Sequence, residues 1–206
     1  MLNIQNKKFL ITAGHALEDI NKSTIGIFVG SDFCTLEGKV VYTDINETFG
    51  NKTKDNHKID IAVWKLSSKC IKFISKEYNF FNLDLEDIDM AMPKSHDYLL
   101  VGFPFTKTKA KGHIRKYIVE PFIYHTKRLE IALYRALKVH PNTHVILHYD
   151  KQKIRKYGKS EIQVGPNLQG ISGCGVWLLS RTGYIPVGII IEGNSNHNAI
   201  IATRLN

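Results

Sequence analysis

Cysteine is scarce in this chain, and the little there is follows no pairing pattern. Three residues, Cys34, Cys70 and Cys174, are too few and odd in number for a disulfide framework. No two of them stand in a C-x-x-C arrangement, which excludes a zinc ribbon on spacing. Long apolar runs are also lacking. Stretches such as Val187-Gly188-Ile189-Ile190-Ile191 fall far short of the roughly 20 residues a membrane-spanning helix needs. The opening MLNIQNKKFLITAGHAL has its lysines in the middle, and no small-residue cleavage site follows a continuous apolar core. That is not the order of a secretory signal. Internal repeats and low-complexity linkers are absent. An intracellular, cytoplasmic protein without a membrane partner is the expectation.

The 206 residues suit one large domain or two small lobes, either able to bury a core. An apolar fraction of 43% with 23% charged residues is ordinary for a globular chain and argues against disorder as its main state. The net charge of +9 is concentrated in two stretches, Thr106–Lys116 and Lys151–Lys156. Such patches can attract nucleic acid. No nucleic-acid motif accompanies them, so they read as solvated lysine-rich surface and nucleic acid is not an expected partner.

The text is mostly short β-strands separated by turn residues. The clearest are Lys8–Thr12, Thr24–Val29, a pair within Phe33–Thr43, Ile59–Leu66, Tyr98–Pro104, Tyr117–Glu120, His144–Tyr149, Gly175–Leu179, Pro186–Ile191 and Ala199–Ala202. Many short strands of this kind favour sandwiches or barrels. One segment differs. Leu129, Leu133, Tyr134 and Leu137 share one helix face, and Pro141 closes the stretch, which predicts a short helix over 128–139. Residues 46–58 are polar and turn-rich, and read as a loop.

Three local patterns carry chemistry. The strand Phe9-Leu10-Ile11-Thr12 runs into Ala13-Gly14-His15, where small residues let other groups approach the imidazole. An ordinary turn histidine would look the same. Asp60 sits in Ile59-Asp60-Ile61-Ala62-Val63, where a carboxylate is costly unless paired. Ser172 sits in Gly170-Ile171-Ser172-Gly173, ahead of the apolar run Val176–Leu179. A nucleophilic serine needs a base, and the base an orienting acid. His15 and Asp60 are the candidates.

Together, in the order His, Asp, Ser, these motifs resemble the trypsin-like (chymotrypsin-fold) serine peptidases, specifically intracellular, bacterial-type members. The spacing, 45 residues from His15 to Asp60 and 112 from Asp60 to Ser172, suits two consecutive lobes. The resemblance implies an all-β fold of two six-stranded-type antiparallel β-barrels with one short helix in the second half. Residues 1–95 would carry His15 and Asp60, and residues 96–206 Ser172. It implies a serine endopeptidase acting on a peptide or protein substrate through an acyl-enzyme, with no cofactor and no metal. Ser172 would attack, His15 would act as base and acid, and Asp60 would orient His15. The backbone N–H groups of Gly170 and Ser172 would form the oxyanion hole. Gln169, Glu192, Gly193 and Asn194 fall where the substrate-binding walls belong.

Several positions depart from that family. Ile171 stands where digestive relatives carry the aspartate of zymogen activation. Cys174 and Gly175 replace the usual glycine and proline, and open a second register, Gly173-Cys174-Gly175, with Cys174 as nucleophile. Ser172 is preferred, because that register would put a side chain where the oxyanion glycine belongs. Only Met1–Asn6 precede the His-bearing strand, so the first barrel is expected to have an open edge, completed by a partner or a missing segment. The rival reading is a peptidase-fold binding module without turnover. His140, His144 and His148 recur every four residues, but no carboxylate or third ligand follows at close spacing on a strand, so no metal site is expected there. Asp84, Glu86, Asp87 and Asp89 lack the glycine and terminal glutamate of a calcium loop.

Overall fold

A computed structural model describes residues 1–17, 25–43, 59–83, 97–104, 108–111, 116–119, 121–155, 161–180 and 183–205. The 46–58 loop, the acidic run at 84–89, the expected lobe boundary at 95 and 96, and Lys107, His113 and Arg115 of the basic stretch at 106–116 lie outside them.

The first half builds strands β1 (Leu2–Ile4), β2 (Lys7–Thr12), β3 (Gly26–Val29), β4 (Asp32–Thr35), β5 (Gly38–Tyr42) and β6 (Ala62–Leu66), then helix α1 (Ser68–Ile74) and β7 (Phe81–Asn82). Five of these strands form one sheet in the order β5-β6-β2-β1-β7, while β3 and β4 pair as a separate hairpin. Met1–Asn6 supply the strand that was expected to be missing. Gln5 and Asn6, with φ of 48° and 63°, turn β1 back onto β2, the backbone a tight hairpin demands. β7 then lies parallel to β1 on its other side. The edge of the His-bearing strand is therefore covered from within the chain. On α1, Ser67 caps the first turn by accepting the Cys70 N–H.

The second half holds β8 (Asp97–Gly102), β9 (Thr108–Lys111), β10 (Lys116–Val119), β11 (Phe122–Lys127), α2 (Ala132–Ala136), β12 (His144–His148), β13 (Ile154–Arg155), β14 (Ile162–Gln163), β15 (Gly175–Ser180), β16 (Gly183–Asn194) and β17 (Ala199–Arg204). Six strands make an antiparallel sheet in the order β11-β8-β15-β16-β17-β12. It curls into a half-barrel, bringing the two ends together. Leu129 N–H donates to Ile146 O at 2.8 Å, and Arg128 bridges Leu147.

Burial follows each strand's place. β11 alternates strictly, with Phe122, Tyr124 and Thr126 inward and Ile123, His125 and Lys127 outward, as a half-covered strand should. β17, from Ala199 to Thr203, is buried throughout, because both its faces are covered. On one face Val176, Ile190, Ile200 and Ala202 join the main core. Each fully buried aliphatic side chain there contributes roughly 1.5–3 kcal/mol. On the other face lie Leu129, Leu133, Tyr134 and Leu137, the helical face read from the sequence. The helix itself spans only Ala132–Ala136. It has no side-chain cap at Ile131, and Lys138 turns into the left-handed region at φ 54°. The Tyr134 hydroxyl pins it to the sheet, accepting from Ile146 N–H and Arg128 Nε.

The two halves share packing. Leu17, Leu36, Trp64, Leu66 and Ile74 form a smaller core inside the first half. Leu2 and Leu83, with Ile4, Ile11 and Phe81 at the margin, join the main core of the second. Among the described residues no helix is long and apolar enough to cross a membrane.

The main core has a pH signature. Burial pushes the Tyr98 phenol up to about 12, and burial together with Tyr124 raises the Tyr149 phenol too. The folded chain holds these protons more tightly than the unfolded chain. Their contribution to stability is full below about pH 10 and is lost as the pH rises through about 12. Urea midpoints are expected to fall between about pH 9.5 and 11.5, and Tyr98→Phe to flatten that fall. A midpoint independent of pH over this range would contradict the assignment.

Candidate active site

His15 follows β2, in a single 3₁₀ turn, Gly14–Leu17. Asp60 lies just ahead of β6. The sequence placed it inside a strand, but the strand begins at Ala62. The three preceding residues are held instead by tertiary bonds. Ile61 N–H donates to Thr43 Oγ1 at 3.0 Å, and Thr43 N–H donates to Ile61 O at 3.0 Å. Asp60 N–H reaches Thr203 Oγ1 of β17 at 3.4 Å. These bonds bury the carboxylate and aim it at the histidine.

Asp60 holds His15 at two points. Oδ1 accepts the His15 backbone N–H at 2.9 Å, and Oδ2 takes the ring Nδ1 at 2.5 Å. Asp60 is 5% exposed, so these bonds sit in a water-poor setting where charge-assisted contacts are strong. With Nδ1 donating to the carboxylate, the lone pair of a neutral imidazole is on Nε2. The ring is partly open to solvent, with 36% of the side chain exposed. Gly14 makes the approach possible, because a Cβ there would lie 2.8 Å from Asp60 Oδ1.

The Ser172 loop comes from the other half and lands on Thr12 and Ala13, the residues just before Gly14 and His15. Gly173 packs directly on Thr12 and on the Ala13 N–H, and a Cβ on it would overlap Thr12 Oγ1. Gly170 and Gly173 both have φ of 87°, in the left-handed region that disfavours side chains. Ala13 is fully buried against Ile191 and Ile201, so the same strand segments seat both loops. The Ser172 hydroxyl donates to Ile191 O at 3.3 Å. Ile191 falls where the β16–β17 register shifts, between Ile190 and Glu192.

The loop's backbone is divided. Ile171, Gly173 and Cys174 N–H groups donate to Leu168, Ile190 and Ile171 carbonyls. Among the described residues no backbone carbonyl takes the Gly170 or Ser172 N–H. Cys174 faces inward, with its sulfur against Gly102 and its side chain packed on the main core. Burial raises its thiol above the ordinary range, partly opposed by a backbone bond from Phe103. A half-buried thiol whose pKa is raised stays protonated near neutral pH and is a poor nucleophile, which disfavours Cys174 as the nucleophile.

Gln169, Glu192 and Gly193 are exposed, and Asn194 is partly so. Gly193 stands over Leu168, whose Cδ1 would meet a Cβ there at 3.1 Å. His144 is buried with Nδ1 at Thr143 Oγ1, whereas His148 is exposed. The sequence left out three contributors, Thr12, Thr43 and Thr203. Threonine in a strand carries no signal that separates a β-former from an anchor. No known family's sequence model matches the chain, and no curated protein matches it significantly.

Proposed function

We propose that this chain is a serine endopeptidase of the trypsin-like kind, hydrolysing peptide bonds through Ser172, His15 and Asp60. One observation carries the reading: the buried Asp60 carboxylate grips both the ring and the backbone of His15, while the Ser172 loop packs against the residues just before that histidine. The chemistry that follows is that of the general Ser-His-Asp triad. The Ser172 hydroxyl attacks the substrate carbonyl carbon and gives its proton to His15 Nε2. Asp60 holds Nδ1–H in place and stabilises the imidazolium. The proton passes to the leaving amine as the acyl-enzyme forms, and water then reverses the sequence. The Gly170 and Ser172 N–H groups receive the oxyanion, each worth about 2.7–4 kcal/mol of barrier. Gln169, Glu192, Gly193 and Asn194 would flank the substrate, with Glu192 available to a basic side chain. Two complete barrels and a cytoplasmic setting belong to the same proposal.

Fluorophosphonate labelling followed by intact mass tests it. A single adduct is expected, absent in Ser172→Ala and His15→Ala and kept in Cys174→Ala. A folded wild type that takes no adduct would overturn the reading. The second reading is a peptidase-fold module that binds a peptide or partner without cleaving it. The Ser172 hydroxyl favours it by donating to Ile191 O and not to the imidazole. Peptide binding by an unlabelled wild type would select that reading.

A further inference from the structure

Cys34 and Cys70 take no part in the chemistry proposed for Ser172. Cys34 belongs to β4 and Cys70 to the first turn of α1, and both are buried in the smaller core with Leu36 and Trp64. Both thiols donate to one acceptor, the Thr35 carbonyl, Cys70 at 3.4 Å and Cys34 at 3.7 Å. Glu37 N–H is directed at Cys70 Sγ at 3.1 Å, a donor to which a thiolate there would bond strongly. Burial and the neighbouring Cys70 sulfur both push the Cys34 thiol up. Two sulfurs converging on one carbonyl from separate elements is more than space-filling. The β3–β4 hairpin pairs with no other strand among the described residues, so its local opening exposes the sulfurs without unfolding the main sheets.

We propose that Cys34 and Cys70 form a redox-modification site, a reversible disulfide that ties β4 to α1 and is made by exchange with a low-molecular-weight disulfide. The Cys70 thiolate attacks one reagent sulfur. The reagent's S–S bond breaks, one thiolate leaves, and the other half stays on Cys70 as a mixed disulfide. Cys34 then releases its proton, attacks Cys70 Sγ and expels the second thiolate. Two protein thiols are oxidised by two electrons, and one reagent disulfide becomes two thiols. This site does not depend on the peptidase reading.

The test uses the whole reduced protein with glutathione disulfide. Thiols are then counted by alkylation in denaturant and intact mass. The count is expected to fall from three to one, with peptide mapping joining Cys34 to Cys70 and Cys174 left free. The melting temperature is expected to rise by roughly 5–10 °C, as tying off the loop between positions 34 and 70 predicts. Cys34→Ser is expected to stop at a mixed disulfide on Cys70, and Cys174→Ser to behave as wild type. Three alkylatable thiols persisting in the folded protein, a cross-link through Cys174, or mixed disulfides that never resolve would each overturn the proposal. The wild-type count decides the matter even if a serine variant does not fold.

Discussion

Asp60→Asn is expected to slow fluorophosphonate labelling of Ser172 by about 10⁴, the loss typical when a triad carboxylate becomes an amide. The carboxylate accepts two donors at once, the His15 N–H and the ring Nδ1–H. An amide has one oxygen for those two donors. If that oxygen keeps the backbone N–H, the amide NH₂ faces the ring and can be satisfied only by an Nδ1 lone pair. The imidazole must then carry its proton on Nε2, where it can no longer accept from Ser172. The backbone bond of Asp60 to Thr203 does not involve the carboxylate, so the fold is expected to persist. Labelling rates and circular dichroism of the variant, measured side by side, check this. A folded Asp60→Asn protein that labels at the wild-type rate would show that Asp60 orients nothing the reaction uses.

Gly173→Ala is expected to destabilise the protein by about 3 kcal/mol and to abolish labelling. Two penalties combine. The φ of 87° costs an L-residue roughly 1–2 kcal/mol. The new methyl group also overlaps Thr12 Oγ1 and approaches the Ala13 N–H at 3.4 Å, and strain of that kind costs about 1–3 kcal/mol. A chain of this size loses roughly 2–4 °C in melting temperature per kcal/mol, so a drop of about 6–12 °C is expected. Thr12→Ala in the same chain removes the overlapping oxygen and leaves the φ penalty with the milder contacts to the position-12 Cβ and the Ala13 N–H. The double variant is therefore expected to regain part of the loss, as residues in contact do. A Gly173→Ala melting temperature within a degree of wild type would mean that the serine loop does not rest on the His-bearing strand.

The legible parts of this protein were those written in short spans. The apolar run at Gly175–Leu179 marks a strand, because a strand's side chains report on two faces within a few residues, whereas the strand at Phe122–Lys127, whose alternation is visible once it is placed, is not among those expected from the sequence. The Leu129, Leu133, Tyr134 and Leu137 face was readable from helical spacing, although the left-handed Lys138 shortened the helix itself. Asp60 is legible as a charge that needs a partner, but the strand expected over Ile59–Leu66 begins only at Ala62. Bonds to Thr43 and Thr203, not strand pairing, hold residues 59–61. The cover on the β2 edge is not legible in the sequence, because Leu2–Ile4 is too short to declare itself as a strand and is held by pairing on both sides.

Sequence pattern alone carried the β-rich character, the candidate histidine, aspartate and serine, and their order along the chain. Folding added the contact between His15 and Asp60 and the seating of the serine loop on the strand before His15. Asp60 meets His15 across 45 residues and Thr203 across 143. Gly173 rests on Thr12, Ser172 turns to Ile191, and Cys34 and Cys70 converge on one carbonyl. The physical reason lies in range. Periodicity and turn chemistry act over a few residues, and so are written where they act. Contacts between distant segments depend on sheet register and on which loops can approach closely, and no local pattern encodes either.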